Sequence, residues 1–201
     1  MKTALKVIGI TLGSIVFLVI AGAVTFLILM HRTPAITSTM TPVTSSHQSV
    51  VALDNKITAF NDSVQNATPG SPVSLNVTQE EITSKVNEEL AGMAGQLPAG
   101  FSFGNVTINF QDGKALISAP VKYSAFSGTA GAAIAVETVN GSPTISVNDI
   151  DFGALPIPQA LKDQLAGMIP NDGKIDMGNI PVDITNIQII DGQIVMNGVT
   201  K

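Results

Sequence analysis

The chain has 201 residues, enough for one ordinary domain with appendages. It holds 10 Lys and Arg against 15 Asp and Glu, for a net charge of −5, and residues 71–201 alone combine 13 acidic residues with 6 Lys. Phosphate contacts and docking on anionic headgroups both need clustered Lys and Arg, so the composition argues against nucleic acid as a partner and against electrostatic membrane docking.

An uncharged run of 24 residues, at positions 7–30, follows Lys2 and Lys6. In a helix that rises about 1.5 Å per residue, such a run spans a hydrocarbon core of roughly 30 Å. We predict a cytoplasmic tip over residues 1–6 and a single transmembrane anchor over residues 7–30. Basic groups are more numerous before the run than after it, which places the N-terminus in the cytoplasm and the rest outside the cell. A cleaved secretory signal with a small-residue site at 21–23 is the alternative.

Residues 31–49 are rich in Thr, Ser and Pro and indicate an extended spacer. After the spacer, five apolar residues recur at helical spacing, namely Val50, Leu53, Ile57, Phe60 and Val64. We assign residues 50–70 as a stalk helix and its linker. The same stripe suits a dimerising helix that contacts a protein partner through residues 50–66, or the first packing element of the domain. The sequence does not separate these three interpretations.

The extracytoplasmic domain is predicted to span residues 71–201 and to open with a short strand, VSLNVT. Thr78 and Glu81 then form the T-x-x-E capping box that begins a helix. The apolar stripe of this helix consists of Ile82, Val86, Leu90 and Met93. Such an amphipathic helix has one face to bury.

After this helix the apolar period changes from 3.6 to 2, which indicates strands. Three pairs of alternating segments flank Asp112-Gly113, Asn140-Gly141 and Asp191-Gly192, which are signals for tight hairpin turns. We therefore predict an α+β fold, in which a strongly curved antiparallel β-sheet built of hairpins packs on one or two amphipathic helices. The N-terminal transmembrane helix precedes this fold.

Two of these strand segments carry apolar residues at spacings of 2, 3 and 2. They are Ile145, Val147, Ile150 and Phe152 in one segment, and Val182, Ile184, Ile187 and Ile189 in the other. A one-residue slip in a period of 2 exchanges the two faces unless a bulge absorbs it. We predict bulges near Asn148-Asp149 and Thr185-Asn186, and hence strong curvature.

A short helix is predicted after the stiff sequence GALPIP at 153–158, since Pro158 suits a first helical turn. One face of this helix holds Leu161, Leu165, Met168 and Ile169. That face either covers the sheet or, together with the first domain helix, lines a groove for an acyl chain. In the second interpretation the lining residues are Ile82, Val86, Leu90, Leu161, Leu165 and Met168.

The chain lacks the residues on which common catalytic sites depend. It has no Cys, and both histidines, His31 and His47, precede the predicted domain. Nucleophile systems built on Ser-His-Asp or Cys-His are therefore absent, a zinc site would have to be all-carboxylate, and no phosphate-binding Gly motif occurs. We predict a protein that is not an enzyme and needs no cofactor or metal.

The order of VSLNVTQEEITSKVNEEL, the hairpins, IDFGALPIPQALKDQL and a closing strand pair resembles YpmS-like and LmeA-like membrane-anchored bacterial envelope proteins. The resemblance covers residues 71–198, and its most specific pieces are SLNVTQEEI and GALPIP. It implies a fold related to tubular lipid-binding (TULIP-like) domains, in which a curved antiparallel sheet wraps around a helix and forms an apolar groove. It also implies phospholipid binding.

We expect a domain at the outer side of the cell membrane that binds a lipid or another apolar envelope component without catalysis. The rival interpretation is a structural or protein-interaction module of the cell surface whose core is fully packed. A groove between the helices and the sheet would favour the first, and a filled interface would favour the second.

Overall fold

The computed structural model describes residues 37, 39–93, 101–123, 126–139, 142–151 and 181–201. The helices of these ranges are α1 His47–Asn66 and α2 Gln79–Met93, and the strands are β1 Pro72–Thr78, β2 Phe101–Phe103, β3 Thr107–Gln111, β4 Lys114–Tyr123, β5 Phe126–Val139, β6 Ser142–Asp151, β7 Val182–Ile190 and β8 Gln193–Thr200. The predicted α+β class is confirmed. The predicted anchor at 7–30 and the corner at 153–158 lie outside the described residues.

Helix α1 is a packing element of the domain. Ser46 caps it by accepting a hydrogen bond from the Ser49 N–H at 3.0 Å, so the helix begins three residues before the predicted Val50. Leu53, Phe60 and Val64 are buried in the same core as the strands. The boundary predicted at residue 71 is therefore wrong, because the core of the domain includes side chains from the segment assigned as a separate stalk.

The strands form two antiparallel sheets, where the sequence predicted one. One sheet has the order β1-β8-β7. The other has the order β2-β4-β5-β6, and β3 also pairs with β4. Since β2 pairs with residues 121–123 of β4 and β3 with residues 114–118, the two short strands follow one another along the same edge of β4.

Both predicted bulges are present. In the β5–β6 pair, Ala133 pairs with Asp149 and Ile134 with Val147, which leaves Asn148 as the extra residue. In the β7–β8 pair, Ile184 pairs with Gly198 and Asn186 with Asn197, which leaves Thr185 without a register partner. Each bulge falls at the spacing of 3 in an otherwise alternating segment, where the sequence predicts it.

The backbone conformations at the described hairpin turns suit the residue types found there. Asp112 and Gly113 have φ values of 51° and 72°, so both central residues of this two-residue turn adopt the left-handed backbone of a primed turn. At the other described turn, only Gly192 has a positive φ, of 81°. The strands around Asn140-Gly141 pair as predicted.

The capping box at the start of α2 is confirmed and also carries an ion pair. The Glu81 N–H donates to Thr78 Oγ1 at 3.3 Å, and the Thr78 N–H donates to Glu81 Oε2 at 2.9 Å. The same Oε2 accepts from Lys56 Nζ of α1 at 2.8 Å. The buried Glu81 carboxylate therefore joins the two helices to the end of β1.

Helix α2 closes the open edge of β3 with side chains. Asn87 accepts from the Val106 N–H at 2.7 Å and donates to the Val106 carbonyl at 2.9 Å. Thr83 Oγ1 accepts from the Ile108 N–H at 3.1 Å and donates to the Ile108 carbonyl at 3.3 Å. The helix thus takes the place of a neighbouring strand.

This arrangement continues at Phe110, whose N–H donates to Gln79 Oε1 at 3.2 Å and whose carbonyl accepts from the Gly192 N–H at 2.8 Å. Three side chains spaced by four in the helix thereby bond three residues spaced by two in the chain, Val106 directly before β3 and Ile108 and Phe110 within it. Four helical residues rise about 6.0 Å and two strand residues about 6.6 Å, so the two repeats nearly coincide. The hydrogen bond from Gly192 to Phe110 also links the three-stranded sheet to the five-stranded one.

The small residues of β5 allow close packing between the sheets. Ala130 and Ala132 are buried in the core, and β7 lies against β5. Small side chains let another element approach closely, and among the described elements that element is β7 of the second sheet.

Candidate functional site

The described part of the predicted lining lies inside the packed core. Val86 is 0% exposed, Ile82 is buried beside it, and Leu90 is half-buried against the same cluster. Their neighbours in this cluster come from both helices and both sheets, among them Leu53, Val77, Val106, Ile108 and Ile117. The other three predicted lining residues, Leu161, Leu165 and Met168, lie outside the described residues.

The five-stranded sheet carries a second apolar surface on its other face. Core residues of β4 have odd numbers and core residues of β5 have even numbers, so Leu116 and Ala133 point away from the core cluster. The two residues are register partners, and they are 7% and 5% exposed. We call Leu116 and Ala133 the second-face pair.

A polar residue continues this row on β3. Asn109 is the register partner of Leu116 and is 2% exposed. Its side chain accepts from the Thr41 N–H at 2.7 Å and donates to the Thr41 carbonyl at 3.0 Å, which satisfies the amide at both ends. The second face is therefore bordered by a fixed point of the N-terminal segment.

The C-terminal part of the predicted spacer is bound to the domain. Besides the Thr41 contact, Ser45 Oγ accepts from Asn87 Nδ2 at 2.7 Å, and the Ser46 N–H donates to Ser84 Oγ at 3.0 Å. The prediction of an extended spacer over 31–49 is thus wrong for its last residues, because their backbone and hydroxyl groups find partners on α2 and β3.

A polar pocket of about 350 Å³ lies where the two described hairpin turns meet the start of α2. Its lining consists of Thr41, Gln79, Asn109, Phe110, Gln111, Asp112, Asp191 and Gly192. Both carboxylates are exposed, and among the residues that the structure describes no three Asp, Glu, His or Cys side chains gather as metal ligands. The polar lining does not suit an acyl chain.

A second pocket, of about 310 Å³, lies between α1 and β1 and includes Lys56, Phe60, Ser74, Leu75 and Asn76 in its lining. Lys56 is already paired with Glu81. Pro72 begins the neighbouring edge strand, and a proline together with a nearby lysine discourages pairing with another chain. We therefore assign no binding role to this pocket.

The second-face pair was missed by sequence analysis, although a signal exists. Ala115, Leu116 and Ile117 are three consecutive apolar residues within an alternating strand, and Ala132-Ala133-Ile134 repeats this in the partner strand. Consecutive apolar residues in a strand indicate that both of its faces are covered. The alternation alone assigns the apolar residues of these strands to one face only.

Neither helix of the described ranges combines the length and apolar character that a bilayer span requires. The comparisons of this chain with protein-family models, curated proteins and solved structures found no match in any of the three.

Proposed function

We propose that this chain is a single-pass membrane protein, with its N-terminus in the cytoplasm, whose extracytoplasmic domain binds a lipid or another apolar envelope component without catalysis. The observation that carries the proposal is the second-face pair, Leu116 and Ala133. The sheet thus has buried apolar side chains on both faces, and the core cluster contains those of one face. The family resemblance of residues 71–198 supports the same function.

The proposed binding surface differs from the one that the sequence predicts. Ile82 and Val86 already fill the space between α2 and the sheets, and protein cores are close-packed, so an acyl chain would have to displace core side chains there. The second-face pair lies outside that core cluster. Leu161, Leu165 and Met168 remain candidate partners of that face on their sequence pattern alone.

The test uses the full-length protein in phosphatidylcholine vesicles that contain a photoactivatable acyl-chain probe. We expect the domain to carry label on peptides from β4 and β5. Leu116→Ala should lower this labelling, because Leu116 belongs to the proposed surface. Ile117→Ala is the matched control, since Ile117 is the next residue of β4 and belongs to the core. Labelling is normalised to the folded fraction of each variant.

A second candidate function is a structural or protein-interaction module of the cell surface. The filled interface around Val86 favours it, and α1 still presents an outward face on which Val51 is 43% exposed. In this case the vesicle experiment would label only residues 1–36. Equal effects of Leu116→Ala and Ile117→Ala on labelling of the domain would also support this candidate, because the probe would then show no preference for the second face of the sheet.

A further inference from the structure

The strand that carries Leu116 also carries two lysines on the same face. In β4 the core cluster contains the odd-numbered residues from 115 to 121. The even-numbered residues Lys114, Leu116 and Lys122 therefore lie on the second face. At about 3.4 Å per residue, Lys114 is roughly 7 Å from Leu116 along the strand and Lys122 is roughly 20 Å from it. Of the two cations, Lys114 is the one near enough to act together with the second-face pair.

Lys114 offers an uncompensated positive charge. The ion pairs of the described residues use Lys56, Lys85 and Lys201, and Lys114 takes part in none of them. Lys114 is half-buried, whereas Lys122 is exposed. An opposite charge is attracted more strongly where water is partly excluded than at the open surface. The position of Lys114 therefore suits the head of an anionic ligand.

A second donor lies directly opposite this lysine. Gln111 of β3 is the register partner of Lys114 and is also half-buried. Residues that face each other across an antiparallel pair point to the same side, with Cβ atoms about 5 Å apart. No hydrogen bond from another described residue occupies the Gln111 amide. The ammonium of Lys114 and the amide of Gln111 thus provide one donor for each oxygen of a carboxylate.

The apolar part of this surface is narrow. Leu116 pairs with Ala133, and in the next row Ser118 pairs with Gly131, so β5 contributes a methyl group and no side chain at all. At a strand spacing of about 4.8 Å, the second-face pair presents a strip that suits one acyl chain. A phospholipid has two chains and a phosphate, and phosphate groups are recognised by clusters of cationic side chains. One lysine and one amide suit a carboxylate.

Two carboxylates oppose the binding of an anion here. Asp112 and Asp191 line the polar pocket together with Gln111, and both are exposed. Salt screens exposed charges over about 8 Å, whereas an ion pair with Lys114 forms at direct contact. The attraction at contact therefore outweighs the repulsion, and the acidic side chains reduce the affinity without abolishing it.

We infer that the ligand of the second face is a free fatty acid, whose carboxylate binds Lys114 and Gln111 and whose chain lies over Leu116 and Ala133. The inference rests on the proposed function, which specifies only a lipid or another apolar component. Leu116 and Ala133 are 7% and 5% exposed, and Lys114 is half-buried. The apolar residues thus lie inside the protein and the cation lies at the rim, as the chain and the head of an amphiphile require.

The experiment uses the full-length protein in phosphatidylcholine vesicles and three photoactivatable probes that carry the same acyl chain. The probes are a fatty acid, the corresponding fatty alcohol and a phosphatidic acid. Label on peptides from β4 and β5 is measured against the mole fraction of each probe and normalised to the folded fraction. We expect the fatty acid to half-saturate the label at a mole fraction about tenfold lower than the alcohol does, because a hydrogen bond to a charged group strengthens binding by about that factor.

Four substitutions test the role of the charge. Lys114→Gln should remove the difference between the fatty acid and the alcohol, and Lys114→Arg should keep it. Asp112→Asn should increase it, because one repelling charge is lost. Lys122→Gln is the matched control and should leave it unchanged, since Lys122 belongs to the same strand and the same face but lies roughly 20 Å from Leu116.

Equal half-saturation by the fatty acid and the alcohol in the native protein would overturn the inference and leave the proposed function standing. A preference for the fatty acid that survives Lys114→Gln would do the same, and so would tighter binding of the phosphatidic acid than of the fatty acid. Absence of label in the domain with all three probes would overturn the proposed function and the inference together.

Discussion

The hydroxyl group of Thr83 bonds both peptide groups of Ile108, accepting from its N–H at 3.1 Å and donating to its carbonyl at 3.3 Å. Thr83 is 0% exposed, so no water competes for either group. Together with Asn87 and Gln79, Thr83 lets helix α2 supply hydrogen-bond partners to the backbone of an edge strand. The edge of β3 is thereby closed by side chains, and no further strand is needed there.

Replacing Thr83 by Val should therefore destabilise the domain, although Val has nearly the same shape and is more apolar. The change leaves the N–H and carbonyl of Ile108 unpaired in the interior, which costs about 1–3 kcal/mol. Urea unfolding measures the loss, and the Ile108 amide should exchange faster with solvent. Thr83→Ser is the control, because it keeps the hydroxyl. A Val variant as stable as the Ser variant would contradict the role of the hydroxyl group.

Gly198 should not tolerate a side chain. A Cβ atom at this position would lie 2.6 Å from Val182 Cγ1 and 2.8 Å from the Asp183 carbonyl oxygen, beside the bulge at Thr185. We expect Gly198→Ala to cost about 1–3 kcal/mol in the free energy of unfolding, as overpacked sites do.

The control for Gly198 is Gly92, which lies in α2, where a Cβ atom would meet no neighbouring atom of the described residues within 4 Å. Gly92→Ala should stabilise the protein by about 0.5–1 kcal/mol, because Ala loses less backbone freedom in a helix than Gly. Thermal unfolding of the two variants compares them directly. Equal melting temperatures would refute the proposed crowding at Gly198.

Helix α1 should be required for folding. Its residues Leu53, Phe60 and Val64 are buried in the common core, and losing one large apolar side chain costs about 2–5 kcal/mol in a core. Since domains are stable by only about 5–15 kcal/mol, a fragment of residues 71–201 should not unfold cooperatively, whereas residues 39–201 should. Calorimetry and dispersion of amide resonances compare the two fragments. A cooperative transition of the shorter fragment would restore the boundary at residue 71.

The contact between Lys56 Nζ and Glu81 Oε2, at 2.8 Å, should couple the two helices energetically. The Lys56 side chain is partly exposed and the Glu81 side chain is not, so Lys56→Met would leave a buried carboxylate whose remaining partner among the described residues is the Thr78 N–H. We expect a loss of roughly 1–3 kcal/mol. In a double-mutant cycle, Glu81→Gln should recover part of this loss in the Lys56→Met background. Additive effects of the two changes would show that the pair is not coupled.

Local patterns predicted much of the β structure. The spacing of Ile145, Val147, Ile150 and Phe152 contains one step of 3, and the extra residue Asn148 lies within that step. The capping box at Thr78 and the primed turn at Asp112 are also formed by residues near each other in the chain. Such features depend on steric and hydrogen-bonding preferences of a few consecutive residues, so they can be read before the fold is known.

The candidate binding surface could not be predicted in the same way. Ile82, Val86 and Leu90 form a stripe that fits either a groove or a core, and only the position of α1 decides between them, since Leu53 of that helix belongs to the same cluster. Leu116 becomes part of a second apolar face only when its pairing with Ala133 is known. Both facts depend on contacts between residues far apart in the chain.

The amino-acid sequence by itself determined the α+β class, the three hairpins and the two bulges, because these follow from period, turn residues and short-range caps. The tertiary structure decided that α1 belongs to the core, that the strands divide into two sheets, and that Gln79, Thr83 and Asn87 serve as a neighbour for β3. The physical reason is that an apolar stripe must be covered and a row of backbone amides must be hydrogen-bonded, and both needs are visible in the sequence. Which segment covers the stripe or bonds the amides is decided only when the chain is folded.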